Sequence, residues 1–380
     1  MIKSCDYLII GGGILGLTVA NELINRGLTN IIIIEKENEI GKHASGRNSG
    51  VLHSGIYYSS ESLKAKHCVE GNRLMKEFCI ENNIKISNCG KVIVADSAEK
   101  LNGLKELKKR ADKNGVKSKI ISSQELKDIE PNAFTYKEAI YSPDTSVFNP
   151  IEILNALKEK FIKTKNCGLL LNTEFISNSE KFLASTTKGK INYNLLINAA
   201  GAYAEKIAHL YNLGLNYRSI PFLGTYKELS KKSTHLVNGN IYPVPDIRNP
   251  FLGVHLTKAV NGKVYIGPTA IPVFGRESYK FFQDLSIESF SFIYRDILMF
   301  LKSDPFRTNA ISEIKKYLGK FVYLEAKKLI PDLKPHDVMK SEKAGIRAQL
   351  VDWDKKELVM DYVVENGKDS IHILNAVSPA

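Results

Sequence analysis

The chain has 380 residues, 43% of them apolar, which is enough for a sizeable core in one large or two moderate globular domains. It has no apolar run near the roughly 20 residues of a membrane-spanning helix, no signal-peptide pattern, and five cysteines without metal or disulfide spacing, which together favour the cytoplasm. The net charge of +12 comes mostly from dispersed lysines, which favours a solvated basic surface over a nucleic-acid site and permits weak attraction to a membrane.

The first pattern in the chain is a strand-helix-strand unit. Two short isoleucine-rich runs, Tyr7–Ile10 and Ile31–Ile34, predict buried parallel strands. Apolar residues recur at helical spacing over residues 17–26, and Gly27 directly after them is suited to end a helix. A unit of about 30 residues is the context that a dinucleotide-binding fingerprint requires.

Three glycines in the G-x-G-x-x-G pattern join the first strand to the helix. Gly11 allows a tight turn, Gly13 lets a pyrophosphate approach the backbone, and Gly16 lets the helix pack closely on the sheet. The N-terminus of the helix offers N–H groups to the phosphates. Glu35, at the end of the second strand, is placed to accept both ribose hydroxyls and to repel a 2′-phosphate. The stretch alone does not separate FAD from NAD.

Residues 44–58 form a polar loop that differs from the lysine-rich sequence around it. The loop contains three glycines, three serines, Arg47 and Asn48. It can wrap a cofactor with N–H groups and hydroxyls, although a surface loop without a ligand could have this composition. The abrupt change in composition favours the cofactor-binding interpretation.

The rest of the chain gives further helix and strand patterns. Helices are predicted at 63–80, 100–113, 123–128, 151–161, from Ala204, 287–300 and 310–330, and strands at 92–95, 169–171, 182–186, 195–203, 241–245, 251–257, 264–268 and within 371–380. The strand at 195–203 ends in small residues, so Ala200 and Gly201 can approach a planar or phosphorylated ligand. Aromatic and β-branched residues dominate 221–308, which indicates a largely antiparallel sheet in a second, inserted domain.

Together these motifs resemble the FAD-dependent oxidoreductases of the D-amino-acid-oxidase type, and within them the L-2-hydroxyglutarate oxidases/dehydrogenases. The resemblance spans nearly the whole chain and is carried by residues 11–16 with Glu35, 45–58, 241–245, 251–257, 267–268, 276–277, 344–349, 374–376 and 378–380. One departure is Leu-Gly-Thr-Tyr at 223–226, where such enzymes usually carry Arg-Gly-Glu-Tyr.

The resemblance implies an α/β fold with a Rossmann-type FAD-binding domain and an inserted α+β substrate domain built on a largely antiparallel sheet. The expected boundaries are 1–85, 145–215 and 335–380 for the FAD-binding domain, and 86–144 and 216–334 for the substrate domain. It also implies a tightly held FAD and oxidation of an (S)-2-hydroxydicarboxylate to a 2-oxo acid by hydride transfer to flavin N5. No metal is expected. The predicted cofactor-binding residues are Gly11, Gly13, Ile14, Leu15, Gly16, Glu35, Lys36, Ser45, Arg47, Asn48, Ser49, Gly50, Ala200, Gly201, Gly345, Ser378 and Pro379.

Four residues are predicted to carry the chemistry. His255, in an apolar run, is assigned as the base because a histidine pKa lies near working pH, although a buried histidine with a purely structural role has the same pattern. Arg347 can pair with a substrate carboxylate through two hydrogen bonds, and Tyr57 can bond the same group. His53 follows the cofactor loop and could contact either flavin or substrate. Arg276 is a weaker carboxylate candidate, favoured as a surface charge.

Several alternatives stay open at the sequence level. Another enzyme of the same fold, such as a glycerol-3-phosphate dehydrogenase or an amine or amino-acid oxidase, fits the same motifs. A binding or scaffold protein poor in flavin is a third hypothesis, because related sequences normally continue past Ser-Pro-Ala into a helix. The substrate is expected to be a small 2-hydroxy acid and the electron acceptor oxygen or a quinone. The expected location is the cytoplasm, with peripheral attachment to the inner face of the cell membrane as an option.

Overall fold

A computed structural model describes residues 3–246, 251–280, 286–317 and 319–376. Within these ranges the α-helices are α1 Ile14–Asn25, α2 Ala44–Arg47, α3 Leu63–Glu81, α4 Leu101–Lys113, α5 Ser123–Ile129, α6 Pro150–Ile162, α7 Ala204–His209, α8 Ile287–Lys302, α9 Asp304–Tyr317 and α10 Gly319–Leu329. The strands are β1 Lys3–Ser4, β2 Tyr7–Ile10, β3 Ile31–Ile34, β4 Val51–Leu52, β5 Ile86–Ser87, β6 Lys91–Val94, β7 Lys119–Ser122, β8 Glu138–Ser142, β9 Ser146–Phe148, β10 Cys167–Leu170, β11 Phe175–Glu180, β12 Leu183–Thr186, β13 Gly189–Asn192, β14 Leu195–Asn198, β15 Tyr217–Leu229, β16 Asn240–Pro243, β17 His255–Lys258, β18 Val264–Gly267, β19 Ile271–Pro272, β20 Val338–Asp352, β21 Glu357–Leu358, β22 Val363–Asn366 and β23 Ser370–Asn375.

A six-stranded sheet in the described structure carries the N-terminal motif, with the order β10-β3-β2-β14-β23-β22. Its strands run parallel except for β22, which is antiparallel to β23. Helices α1 and α6 pack against each other beside it, with Leu17 and Phe161 in one core with Ile9 and Ile33. The two isoleucine-rich runs are therefore buried parallel neighbours, as predicted.

The turn between β2 and α1 depends on its glycines. Gly11 has a φ of +105°, and a Cβ there would lie 2.6 Å from the Ala199 carbonyl oxygen. A Cβ on Gly16 would lie 1.9 Å from the Gly11 carbonyl oxygen. The helix begins at Ile14, three residues earlier than its apolar periodicity indicates, because the glycine-rich segment itself supplies the first turn.

The second large sheet has the path β21-β20-β15-β18-β17-β16-β6-β8-β7, and β19 pairs with β15 beside it. Within the described residues its pairs are antiparallel except for β6 with β16. Helix α10 packs over β16, β17 and β18, and apolar side chains of α8 and α9 share a core with Phe222 of β15. The predicted antiparallel sheet is thus present, and it is larger than the sequence pattern indicated.

The described residues of the predicted helix at 310–330 are helical through Leu329, as the end of α9 (Asp304–Tyr317) and as α10 (Gly319–Leu329). A predicted strand was wrong in extent. The strand at 251–257 begins only at His255, because Gly253 has a φ of +75° and takes the preceding segment out of extended conformation.

Two smaller sheets complete the fold, a four-stranded one ordered β1-β13-β12-β11 and a three-stranded one ordered β4-β9-β5. The three-stranded sheet anchors the polar loop at 44–58, because β4 pairs with β9 through Val51 and Val147. Strand β20 passes close to the same loop, since a Cβ on Gly345 would lie 3.1 Å from the Arg47 carbonyl oxygen. The proposed domain boundaries stay a prediction.

Candidate active site

A cavity of about 1140 Å³ extends from the glycine turn of the parallel sheet to the antiparallel sheet. It is lined by most of the residues predicted from the sequence, namely Gly11, Gly13, Ile14, Leu15, Glu35, Lys36, Ser45, Arg47, Asn48, Ser49, His53, Tyr57, Ala200, Gly201, His255, Gly345 and Arg347. Gly16 and Gly50 do not line it; a Cβ on either would strike a backbone carbonyl oxygen, so their role here is packing. Ser378 and Pro379 lie outside the described residues.

The glycine turn leaves room for a group that approaches the backbone. Helix α1 has Gly13 as its N-cap residue, with no side chain to cap the helix. The Ile14 N–H donates to Ser45 Oγ at 3.0 Å, and a Cβ on Gly13 would lie 2.9 Å from that oxygen. A twelve-residue helix whose N-terminus meets a cavity favours negative charge there. This end of the cavity fits a pyrophosphate.

Glu35 is held rigidly just below the glycine turn. Its carboxylate is 8% exposed and accepts the Gly12 N–H at 2.9 Å and the Glu37 N–H at 3.0 Å. Because a carboxylate has about four lone-pair positions, the two oxygens can still accept hydroxyl protons from the cavity. The donor set therefore fits the adenosine ribose of an unphosphorylated dinucleotide.

Lys36 lies beside a carboxylate cluster. Its Nζ contacts Glu37 and lies 2.5 Å from Glu277, and burial would lower its pKa but hydrogen bonds with these carboxylates raise it overall. His43 Nε2 lies 3.0 Å from the same Glu37 oxygen. Glu37, His43 and Glu277 together have the spacing of a metal site, but both carboxylates already pair with the Lys36 ammonium.

The loop that contains α2 is fixed mainly through its own backbone. Arg47 Nε donates to the Lys42 carbonyl at 2.7 Å, and its guanidinium stacks 4.0 Å from the Tyr279 ring centroid. The Asn48 side chain accepts the Gly50 N–H and donates to the Ser45 carbonyl. These contacts order the loop along the cavity wall.

His255 is buried on the far wall of the cavity and stacks on Tyr242, with ring centroids 3.8 Å apart. Its Nδ1 lies 2.9 Å from the Gly253 carbonyl oxygen. Since a carbonyl only accepts, Nδ1 carries the proton and Nε2 presents a lone pair. Burial is the main cause that lowers the pKa of His255 to about 3, so the ring is neutral at ordinary pH and can accept a proton.

His53 and Tyr57 lie next to this pair. The His53 ring is 5.9 Å from Tyr242 and 6.3 Å from Tyr57, edge-on in both cases. Burial lowers the pKa of His53 well below its usual range, and Lys91 and His255 lower it further. Among the described residues the Tyr57 hydroxyl is buried without a hydrogen-bond partner, so it is a donor available to a ligand.

Two cations, Arg347 and Lys64, line one end of the cavity, and Lys64 was not predicted from the sequence. Arg347 projects from β20 with its guanidinium 5.1 Å from the Phe251 ring centroid, and burial lowers its pKa to about 10. Lys64, in the first turn of α3, is 4% exposed and lines the same cavity. Burial, and then the nearby Arg347, lowers the pKa of Lys64 to about 8. Nothing in the sequence separates Lys64 from the chain's many surface lysines.

Arg276 is neither a surface charge nor a carboxylate-binding residue of this cavity end, which corrects both sequence interpretations. Its side chain is 3% exposed and pairs at 2.8 Å with Glu205 of α7 and at 2.8 Å with Glu288 of α8. The same guanidinium donates to the Ala202 carbonyl. Both interpretations overlooked that carboxylates from two helices converge on it.

A glycine cradle for a pyrophosphate, a carboxylate for the ribose and a cavity that ends in two imidazoles define a dinucleotide-dependent oxidoreductase. A family model described as FAD dependent oxidoreductase matches residues 6–372. The chain belongs to this family of FAD-dependent oxidoreductases, so the prediction of FAD as the cofactor is confirmed.

Curated relatives of this chain include L-2-hydroxyglutarate dehydrogenases, which confirms the resemblance inferred from the sequence. The chain is 37% identical to an L-2-hydroxyglutarate dehydrogenase of Indibacter alkaliphilus, over 99% of this chain and 94% of the relative. It is 36% identical to the mitochondrial L-2-hydroxyglutarate dehydrogenase of Homo sapiens, over 100% of this chain and 86% of the relative.

Solved structures share the fold. L-α-glycerophosphate oxidase from Mycoplasma pneumoniae superposes with a TM-score of 0.75 at 19% identity, over 100% of this chain and 91% of that chain. Glycine oxidase from Geobacillus kaustophilus gives 0.67 at 18% identity, over 91% and 83%. At these identities the similarity concerns the fold, and it confirms the predicted α/β class.

Proposed function

We propose that this protein oxidises L-2-hydroxyglutarate to 2-oxoglutarate with FAD as the electron acceptor. The observation that carries the proposal is one continuous cavity with a dinucleotide cradle at one end and, at the other, the buried Lys64 and the partly buried Arg347 beside two neutral imidazoles. A substrate with two carboxylates and one reacting hydroxyl matches that second end. The full-length similarity to L-2-hydroxyglutarate dehydrogenases supports the same substrate.

Residues at the cofactor end fit two parts of FAD, the pyrophosphate and the adenosine ribose. The turn at Gly11 and Gly13 and the N-terminus of α1 would hold the pyrophosphate, and Glu35 the adenosine ribose. When bound, the flavin supplies the two-electron acceptor that takes the hydride from the substrate α-carbon. Arg47, against Tyr279 and close to Gly345, would keep the loop over the cofactor closed.

The substrate end binds and orients the dicarboxylate. Arg347 would hold the carboxylate next to the reacting carbon and Lys64 the distal one, because both cations line the cavity and lie close together. The Tyr57 hydroxyl, unpartnered within the described structure, would donate a further bond. Burial raises the pKa of Tyr57 well above its usual range, which keeps this donor protonated.

The proton of the substrate hydroxyl would pass to Nε2 of His255. This nitrogen presents a lone pair because Nδ1 is engaged with the Gly253 carbonyl. Two substrate carboxylates nearby favour the protonated imidazolium, so binding raises the pKa of His255 from about 3 toward the working pH. Binding of the substrate therefore makes His255 a stronger base.

Anaerobic titration tests the substrate assignment. We expect L-2-hydroxyglutarate to bleach the flavin absorbance stoichiometrically, while D-2-hydroxyglutarate, L-lactate, glycerol 3-phosphate and glycine do not. Bleaching by glycerol 3-phosphate or an amino acid instead would favour another enzyme activity of this fold. A purified chain without flavin absorbance would favour a binding protein.

Substitutions test the two ends of the substrate site. His255→Ala should keep the flavin absorbance and slow flavin reduction about 10²- to 10⁴-fold, the usual contribution of a general base. Lys64→Met should raise KM for L-2-hydroxyglutarate, and Lys66→Met, an exposed lysine of the same helix, is the matched control. An unchanged KM in Lys64→Met would remove this lysine from the site.

Peripheral membrane attachment, with a quinone as acceptor, is proposed on a different observation. Along α8, Ile287, Phe290, Tyr294, Ile297 and Leu301 recur at intervals of three and four residues and are 54–91% exposed. Charged side chains of this helix bond inward instead, Glu288 to Arg276 and Arg295 to the Ser219 carbonyl. In the described structure no helix is long and apolar enough to span a bilayer. An apolar stripe on a basic protein suits the surface of an anionic bilayer, which here would be the cytoplasmic face of the cell membrane.

Sedimentation with phosphatidylglycerol vesicles tests this attachment. We expect the purified protein to sediment with the vesicles and the variant F290S/Y294S/L301S to stay in the supernatant. Ile80→Ser, which removes an apolar side chain 71% exposed on α3, should not change sedimentation. Equal sedimentation of all three proteins would exclude α8 as the contact.

A further inference from the structure

Lys91 is a buried cation that the mechanism above does not use. It is the first residue of β6, lies between β16 and β8 in the antiparallel sheet, and is 1% exposed. Within the described ranges no carboxylate lies within ion-pair distance of its Nζ. A lysine in such a position is unusual, because burying an unpaired ammonium is costly.

Neutral groups from several elements surround the Lys91 ammonium. Its Nζ lies 3.5 Å from His53 Nδ1, 4.5 Å from the Tyr57 ring centroid and 5.3 Å from the Tyr242 ring centroid. Cys68 of α3 also faces it, and His255 of β17 lies beyond the Tyr242 ring. Ring faces and one imidazole lone pair are thus the groups that stabilise the charge.

This contact decides which nitrogen of His53 carries a proton. An ammonium has only protons to donate, so His53 Nδ1, which faces it, is the acceptor and Nε2 holds the N–H. His255 has the opposite arrangement, with the proton on Nδ1 against the Gly253 carbonyl. The two imidazoles, both packed on Tyr242 and both lining the cavity, are therefore set in opposite tautomers.

We propose that Lys91 is a positioning residue that fixes His53 as a hydrogen-bond donor to the substrate and so leaves His255 as the single proton acceptor. The Lys91 ammonium contacts His53 Nδ1, but Lys91 itself does not line the cavity. The inference deepens the proposed function, on which its kinetic part rests. His53, which the sequence left equally suited to flavin or substrate, is thereby assigned to the substrate through its Nε2–H.

The tautomer can be measured directly. In the holoenzyme labelled with ¹⁵N-histidine, we expect His53 to show the Nε2–H pattern and His255 the Nδ1–H pattern, with the signals assigned from His53→Gln and His255→Gln variants. In Lys91→Met the His53 signals should move to a mixture of both tautomers, while those of His255 stay unchanged. A Lys91→Met protein with wild-type His53 signals would overturn the proposal.

Kinetics provide the second measurement. Lys91→Met should lower kcat/KM for L-2-hydroxyglutarate about 10- to 100-fold, the loss expected when one hydrogen bond to a charged substrate is no longer fixed. Lys91→Arg, which keeps the cation, should retain more activity than Lys91→Met. Lys119→Met, at the exposed first residue of β7 in the same sheet, is the control for strand position and should match wild type. Unchanged kcat/KM in Lys91→Met would overturn the proposal.

The two measurements separate this inference from the proposed function. If L-2-hydroxyglutarate fails to bleach even the wild-type flavin but the His53 tautomer still depends on Lys91, the substrate assignment is wrong and the positioning role stands. If the wild type is bleached and Lys91→Met behaves like it in either measurement, the positioning role is wrong. Flavin content and circular dichroism of each variant confirm that it is folded.

Discussion

Arg276 and Lys91 are both buried almost completely, and their surroundings are opposite. Arg276 is enclosed by carboxylates of α7 and α8 and by a backbone carbonyl. Lys91 is enclosed by imidazole and phenol rings. Burial would lower the pKa of both, but Glu205 and Glu288 raise that of Arg276, whereas burial prevails at Lys91 and lowers its pKa to about 7.

The difference separates a structural charge from a functional one. Arg276 ties the segment after β19 to two helices, and two carboxylates balance its charge, so the group is stable where it lies. Lys91 has no carboxylate partner among the described residues, and such a partner would cancel the field that the ammonium exerts on His53. A cost in stability at a site of this kind is typical of residues retained for function.

The largest effect is expected from removal of the paired cation. Arg276→Met leaves Glu205, 3% exposed, without its closest cation and with only the Arg295 guanidinium at 3.8 Å, which should lower the free energy of unfolding by about 3 kcal/mol. Urea denaturation followed by circular dichroism measures this loss. The double variant R276M/E205Q, which removes both charges, should recover part of it. No recovery would mean that packing of the guanidinium, not its charge, is what matters.

A smaller effect, with a defined pH dependence, is expected at Lys91. Burial lowers its pKa in the folded protein to about 7, whereas a solvated lysine of the unfolded chain titrates at 10.5. Between these two pH values the unfolded chain binds more protons, so stability rises with pH. The penalty is full below pH 7 and absent above about pH 10.5. Lys91→Met removes it, so the variant should gain stability over wild type at pH 7.

The measurement is the difference in unfolding free energy between wild type and Lys91→Met at pH 7 and at pH 9. Taking the difference cancels the titration of cysteines and tyrosines that both proteins share. We expect the advantage of the variant to shrink by about 2 kcal/mol between these pH values. An advantage that does not depend on pH would show that Lys91 stays protonated in the folded protein up to pH 9, as it does in the unfolded chain.

The same comparison explains how far the sequence could predict the site. The position of Gly11, Gly13 and Glu35 along the cavity was predictable, because it depends on local geometry within one strand-helix-strand unit. The turn, the helix N-terminus and the carboxylate all lie within about 30 residues, and each has a residue type that few others can replace.

The substrate end was predictable only in part. His255 and Arg347 stood out as polar residues in apolar strands, but Lys64 and Lys91 are two lysines in a lysine-rich chain. What distinguishes them is burial by elements distant in sequence, since the rings around Lys91 come from residues 53–57 and 242. Arg276 was misassigned for the same reason, because its partners Glu205 and Glu288 come from helices before and after it in the chain.

The smallest effect on stability is expected for Arg73, a cation with close carboxylate partners but an exposed side chain. Arg73 on α3 contacts Glu70 at 2.5 Å and Glu77 at 2.6 Å, more closely than Arg276 contacts its own carboxylates, yet about half of its side chain is exposed. Water and salt screen such pairs, so distance alone does not confer stability. Arg73→Met should leave the urea midpoint within error of wild type, with no dependence on added salt. A loss comparable to that of Arg276→Met would show that carboxylate contacts alone, without burial, determine what a cation contributes in this fold.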